Sequence, residues 1–119
     1  MPRRPWRRRR DPDPLGDGLW RRLYDDCATA ARRAPVLADM LPRVRALAEE
    51  GQARWPADGL DVPSTDAGRA HYLRLHDVRR AFADVAYRMR LAEVPGEVPS
   101  QDRHLRDALH RARTLAPLD

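Results

Sequence analysis

The sequence predicts an all-α protein: an antiparallel four-helix bundle preceded by a disordered, Arg-rich N-terminal tail. Three observations predict it. Apolar residues recur at spacings of three and four along four separate stretches, the repeat that keeps one stripe of a helix against a partner surface. β-branched residues are few and never alternate with polar ones over four or more positions, so no strand is expected. Pro and Gly gather between the periodic stretches, where they break helices and make turns. With 119 residues there is room for one domain, large enough to bury a core without disulfides or metals.

The tail, residues 1–14, reads MPRRPWRRRRDPDP. Its prolines and mutually repelling arginines favour an extended, solvated chain. Residues 15–119 then form the folded domain. The first helix is expected over residues 18–33, capped by Asp17, with Leu19, Trp20, Leu23, Tyr24, Cys27, Ala28 and Ala31 on its apolar face. Arg21–Asp25 and Arg22–Asp26 are i,i+4 pairs, worth about 0.2–0.5 kcal/mol each. Pro35 separates this helix from the next.

The second helix is expected over residues 35–54, with Val36, Leu37, Met40, Leu41, Val44, Leu47 and Ala48 inward. Pro35 suits a first turn, but Pro42 falls in the interior. There it removes a backbone bond and clashes with the preceding turn. The alternatives are a kink near Pro42 or two shorter helices with Asp39 capping the second. The kink is preferred, because the apolar stripe stays in phase across it. Residues 55–65, WPADGLDVPST, are a turn-rich crossing, with Trp55 and Leu60 expected to fold back on the bundle edge.

The third helix, residues 66–93, is the spine of the chain. Gly68, His71, Leu75, Val78, Phe82, Val85, Met89 and Ala92 mark its stripe. Asp66 is the expected cap, with Ser64 and Thr65 as competitors. Pro95 and Gly96 end it. The fourth helix, residues 100–116, starts at Ser100. Leu105, Ala108, Leu109, Ala112, Leu115 and Ala116 give it a narrow face of small residues. The N-terminal half of the third helix, around His71, Tyr72 and Leu75, must be covered by the first two helices or by a second chain. Homodimerisation is therefore one expected partner mode, and binding to another protein a second.

The formal charge is +5, but it is unevenly placed: residues 1–10 hold six arginines and no acid, whereas residues 11–119 hold 17 arginines and 18 acids, a net −1. There is no Lys, Asn or Ile anywhere. All three have AT-rich codons, so a GC-rich genome accounts for part of the Arg abundance. Nucleic-acid binding, if it occurs, is assigned to the tail. Arg3, Arg4, Arg7, Arg8, Arg9 and Arg10 would contact phosphates, and Trp6 would stack on a base or sit at a membrane interface. The competing readings of the tail are an inert terminus and a mis-assigned start codon.

Other classes of chemistry find little support. Cys27 is the only cysteine, so no intramolecular disulfide forms. It lies in an apolar face, the setting of an inert small hydrophobe. His71 and His76, and His104 and His110, are spaced five and six apart, which stacks neither pair on one helical face as metal ligands. His71 shares the apolar stripe and reads as a hydrogen-bonded core-edge residue. Asp25–Asp26 and Glu49–Glu50 read as a solvated salt-bridge face. No nucleophile elbow, phosphate loop or dinucleotide fingerprint occurs. No metal, cofactor or catalytic residue is assigned, and the chain is expected not to be an enzyme.

Most helical arginines have an acid within a turn. Arg80 and Arg88 flank Asp84, Arg106 follows Asp102, and Arg111 follows Asp107. Arg69, Arg74, Arg79 and Arg90 are the exceptions and do not share one face. No preformed groove-reading helix is therefore expected. No apolar run approaches the ~18 residues needed to span a bilayer, and no hydrophobic stretch follows the basic start as a signal peptide would require. The expected location is the cytoplasm.

The Met40-Leu41-Pro42-x-Val44-x-x-Leu47 segment, the long Arg/Ala-rich helix, the Pro-Gly break and the short His-x-x-Arg-containing helix together resemble small uncharacterised helical proteins of actinobacteria. The resemblance covers residues 19–116 and agrees with the GC-rich composition. That group has no established activity, so it implies no site. The function expected is that of a non-enzymatic helical interaction or regulatory module. The alternative is a nucleic-acid-binding accessory protein acting through its tail.

Overall fold

The computed structural model describes residues 13–93 and 100–116, and no side chains at 100–102. Among the described residues the chain is all helix and turn. The elements are α1 (Leu19–Arg33), a 3-10 helix (Pro35–Met40), α2 (Leu41–Arg54), α3 (Asp66–Ala92) and α4 (Ser100–Leu115).

Side-chain contacts fix the directions of the first three helices. Trp20 of α1 lies over Gly51 of α2, and His71 of α3 bonds the Leu47 carbonyl of α2. Arg45, earlier in α2, lies over Tyr24, later in α1, and Gly68, earlier in α3, sits against Trp55 just after α2, so α2 runs against both neighbours. Trp20 meets His71 and Asp26 meets Arg79, so α1 and α3 run parallel. The core lies between these helices. Trp20, Leu23, Cys27, Leu37, Met40, Val44, Leu75, Val78, Phe82 and Val85 have no exposed surface. α4 packs along α3 and touches α1 and α2 at most marginally. Ala108 and Ala112 of α4 and Ala116 just after it are buried, the small face that lets two helices approach closely.

Several expectations are corrected in detail. The helix over residues 35–54 does not form as one kinked α-helix. A 3-10 helix passes into α2 without leaving the helical region, since Met40 (φ −90°, ψ −13°) and Leu41 (φ −59°, ψ −39°) both stay right-handed. Pro42 thus falls in the first turn of α2, where its missing N–H costs nothing. Asp39 caps nothing. Asp17 does not cap α1 either; Gly18 holds that position and makes no side-chain bond. The Leu19 N–H instead donates to the Gly59 carbonyl at 2.8 Å. A methyl group on Gly18 would lie 1.9 Å from the Ala57 carbonyl oxygen, so only glycine lets the loop cross there. At α3 the cap is Thr65, whose Oγ1 accepts from the Gly68 N–H at 3.1 Å, rather than Asp66. Val36 and Leu60 are exposed, at 38% and 53%. Val36 lies on the outer side of the 3-10 helix and Leu60 in the loop before α3.

Asp13 and Pro14, assigned to the tail, belong to the fold. Gly16 takes a left-handed φ of +63°, which favours glycine, and its N–H donates to the Asp13 carbonyl at 3.0 Å. This turn delivers Leu15 into the core, fully buried. The Asp13 carboxylate pairs with Arg21 of α1 and with Arg45 of α2 at 3.0 Å. The first part of the tail and the link at residues 94–99 lie outside the described residues.

Candidate functional site

Two places along α3 concentrate polar and aromatic side chains, one at each end. The N-terminal place is a closed junction. The Trp20 indole N–H donates to the Trp55 carbonyl at 2.8 Å. His71 packs against both rings, with centroids 5.5 Å from Trp20 and 5.4 Å from Trp55. Its Nε2 lies 2.6 Å from the Leu47 carbonyl, so Nε2 carries the proton and donates. A methyl group on Gly51 would sit 2.5 Å from the Trp20 ring. The indole thus lies directly on the α2 backbone. Arg54 covers the outer side of Trp55 at 4.8 Å. Every polar group named here already has its partner; a small cleft of about 200 Å³ opens beside Trp55, lined also by Pro56, Ala57, Asp61, Pro63, Ser64 and Thr65. His71 is the hydrogen-bonded core-edge residue that its stripe position predicts.

The C-terminal place is open. A groove of about 540 Å³ runs between α1 and α3, lined by Asp26, Thr29, Ala30 and Arg33 of α1 and by His76, Arg79, Arg80, Ala83, Ala86, Tyr87 and Arg90 of α3. Its floor is alanine. At its inner end Arg79 bridges two partners: Nη1 donates to Asp26 at 3.1 Å and Nη2 to His76 Nδ1 at 2.7 Å. A guanidinium only donates, so His76 accepts at Nδ1 and carries its proton on Nε2. Tyr72 stacks on the same ring, centroids 5.7 Å apart. Arg33, Arg80 and Arg90 are exposed on the rim, and none of them is ion-paired among the described residues. Tyr87 stands beside them at 55% exposure.

This groove corrects the reading of the helical arginines. Arg79 is ion-paired, across helices rather than within one. Arg79 and Arg90 lie on nearly the same face, since eleven residues make almost three whole turns. α1 adds Arg33 from the other side. The Arg79–Arg90 spacing was a usable signal; the contribution of Arg33 was not, because it depends on the parallel pairing of α1 and α3. Of the acidic pairs, Asp25, Glu49 and Glu50 bond Arg21, Arg45 and Arg54 within their own helices, as a salt-bridge face requires. Asp26 leaves Arg22 for Arg79.

The proposed nucleic-acid contacts, Arg3, Arg4, Trp6, Arg7, Arg8, Arg9 and Arg10, lie outside the described residues. Cys27 is free and buried. Burial pushes its thiol up to about 12, with the Asp26 charge adding to the effect; such a thiol is no nucleophile near neutral pH. Among the described residues no cluster of His, Cys, Asp and Glu has the make-up of a metal site, and no helix is long and apolar enough to cross a membrane. Comparison of the chain with protein-family models, curated proteins and solved structures returns no match.

Proposed function

We propose that the protein is a non-enzymatic helical interaction module of the cytoplasm, and that the α1/α3 groove is the surface through which it binds another protein. The observation that carries this reading is the pairing of an alanine floor with three rim arginines that have no ion pair among the described residues. Exposed Arg and Tyr are the residue types enriched at protein interfaces. A groove floored by small side chains admits the backbone of an incoming element. We place α4 antiparallel to α3, as the short link between them favours, which completes the up-down-up-down order and leaves the α1 side of α3 open. A second chain is not needed over the N-terminal half of α3, where Leu75 is already buried and His71 already bonded.

The test uses Ala83→Trp, which fills the groove from its exposed floor. Proteins held by the tagged full-length chain after nuclease treatment are identified, and each is purified and titrated against wild type and variant by calorimetry. The reading expects a partner that binds wild type and loses at least tenfold in affinity for Ala83→Trp. Partners indifferent to the substitution, or removed by nuclease, contradict it.

A second reading rests on the six arginines in the first ten residues. A segment of that charge binds phosphates weakly and with little regard to sequence. Its log–log salt slope on duplex DNA would be at most about −5. Deleting residues 1–12 then abolishes DNA and RNA binding and leaves helicity unchanged; persistence of salt-sensitive binding would move it to the folded domain.

A further inference from the structure

We infer that the occupant of the α1/α3 groove is an acidic amphipathic helix supplied by a partner protein. The inference rests on the interaction-module reading and names the chemistry of the partner.

Charge gives the first argument. The groove holds four guanidiniums, Arg33, Arg79, Arg80 and Arg90, against one carboxylate, Asp26. Arg79 already engages that carboxylate at 3.1 Å. The three rim arginines have no ion pair among the described residues and can meet carboxylates from outside. Arg–carboxylate contacts are often bidentate, which fixes geometry as well as sign.

Shape gives the second. The groove follows α3 from His76 to Arg90, about 21 Å of helix at 1.5 Å per residue. Its floor consists of Ala30 and Ala86, each 7% exposed, and the exposed Ala83. Alanines spaced along two parallel helices form a trough into which a third helix can pack, with its axis ~8–10 Å from theirs. Such a helix needs apolar residues at i, i+3, i+4 and i+7 for the floor and Asp or Glu on its flanks for Arg33 on one side and Arg80 and Arg90 on the other.

Neither α4 nor the first ten residues suit this role. α4 is already packed along α3. The first ten residues carry six arginines and no acid, so the rim repels them. Nucleic acid fits less well. A phosphate backbone makes no use of an alanine floor, Asp26 sits inside the groove, and the chain from residue 11 onward nets −1, which denies a duplex the broad positive field it requires.

The experiment uses the full-length protein and fluorescence anisotropy. The probe is a labelled 16-residue helical peptide with Leu and Ala on one face and Glu on both flanks. The controls are the same peptide with Gln for every Glu and a 20-base-pair DNA duplex. The protein variants are Ala83→Trp and the double variant Arg80→Glu, Arg90→Glu, with circular dichroism melts to confirm that both fold as wild type does. The Glu peptide should bind at least tenfold more tightly than the Gln peptide, and each variant should weaken it at least tenfold. Equal binding of the two peptides, lost in Ala83→Trp, would overturn the acidic partner while leaving the interaction module standing. Binding unchanged in both variants would place the peptide on the basic tail and overturn the inference. Absence of peptide binding, or displacement of the peptide by stoichiometric duplex, would also overturn it.

Discussion

The two ends of α3 are built on opposite plans. At the N-terminal end Trp20, Trp55 and His71 meet in van der Waals contact, every named polar group is paired, and glycine at position 51 lets a ring rest on a helix backbone. At the C-terminal end Ala30, Ala83 and Ala86 line an open groove, and Arg33, Arg80, Tyr87 and Arg90 around it are exposed. A protein that needed only to be stable would have filled the second place as it filled the first. The contrast separates what holds the fold from what is available for binding, and substitutions at the two ends should separate in the same way.

The largest effects belong to the closed end and the core beneath it. Trp20→Ala and Phe82→Ala each remove a fully buried ring and should cost about 3–5 kcal/mol in urea denaturation, from lost transfer energy plus the cavity left behind. Trp20→Ala should be the worse of the two, because it also strips the Trp55 carbonyl of its donor. A loss below about 1 kcal/mol at Phe82, on the same scale, would mean that α3 does not present this face to the core.

Gly51→Ala comes next and sharpens the comparison. Alanine is the better helix former by about 1 kcal/mol, so the substitution would stabilise an ordinary helix. Here the new methyl group meets the Trp20 ring at 2.5 Å, and overpacking of this kind costs about 1–3 kcal/mol. In a Trp20→Ala background the clash is gone, and Gly51→Ala should become neutral or stabilising. Additive behaviour in that double-mutant cycle would break the account of the junction.

What the sequence reveals follows from where each cause resides. The ends of α1, α3 and α4 fall within one residue of those expected from periodicity and from Pro and Gly breaks, because both signals are local. The stripe of α3 is buried from Leu75 to Val85 for the same reason. The cap of α1 was not legible, since the acceptor of its first N–H is Gly59, forty residues on. Leu15 was missed because it stands alone ahead of any periodic stretch. The groove was missed because an i,i+4 inventory pairs charges along a helix, whereas Arg79 pairs across to Asp26 and Arg33 enters from α1. Trp20 was recognised as apolar, but nothing in its neighbours announces that Gly51 is shaped for it.

Smaller effects come from titration. The Cys27 thiol is held up near 12 by burial, above the ordinary value of about 8.5. Its raised value contributes stability that is fully present below the unfolded value and is lost as pH rises toward the folded one. Wild type should therefore lose stability from about pH 8.5 upward on this account, and Cys27→Ala should show a shallower decline. Native Cys27 should also resist alkylation until the protein is unfolded; rapid labelling of the native chain would contradict its burial. At acid pH the sign reverses. The Leu15 N–H, and then Arg21, hold the exposed Asp13 carboxyl below its ordinary range. Its contribution is present above the usual carboxylate value near ~3.9 and fades as pH falls through the lowered one. Asp13→Asn should flatten the acid limb of a melting-temperature profile by lowering its neutral-pH side, and should match wild type once the Asp13 carboxyl is protonated.

The smallest expected effect on stability is at the open end. Ala83→Trp places a ring over an exposed position and should shift stability by no more than about 0.5 kcal/mol. Binding at that end is what the account stakes most on, and it is read most directly by titrating the 15N-labelled full-length protein with the acidic helical peptide and mapping amide shifts. The account predicts shifts concentrated at Ala30, Arg33, Arg80, Ala83, Ala86, Tyr87 and Arg90, with the Trp20–His71 junction unmoved. Shifts confined to residues 3–10, or centred on the junction, would contradict it.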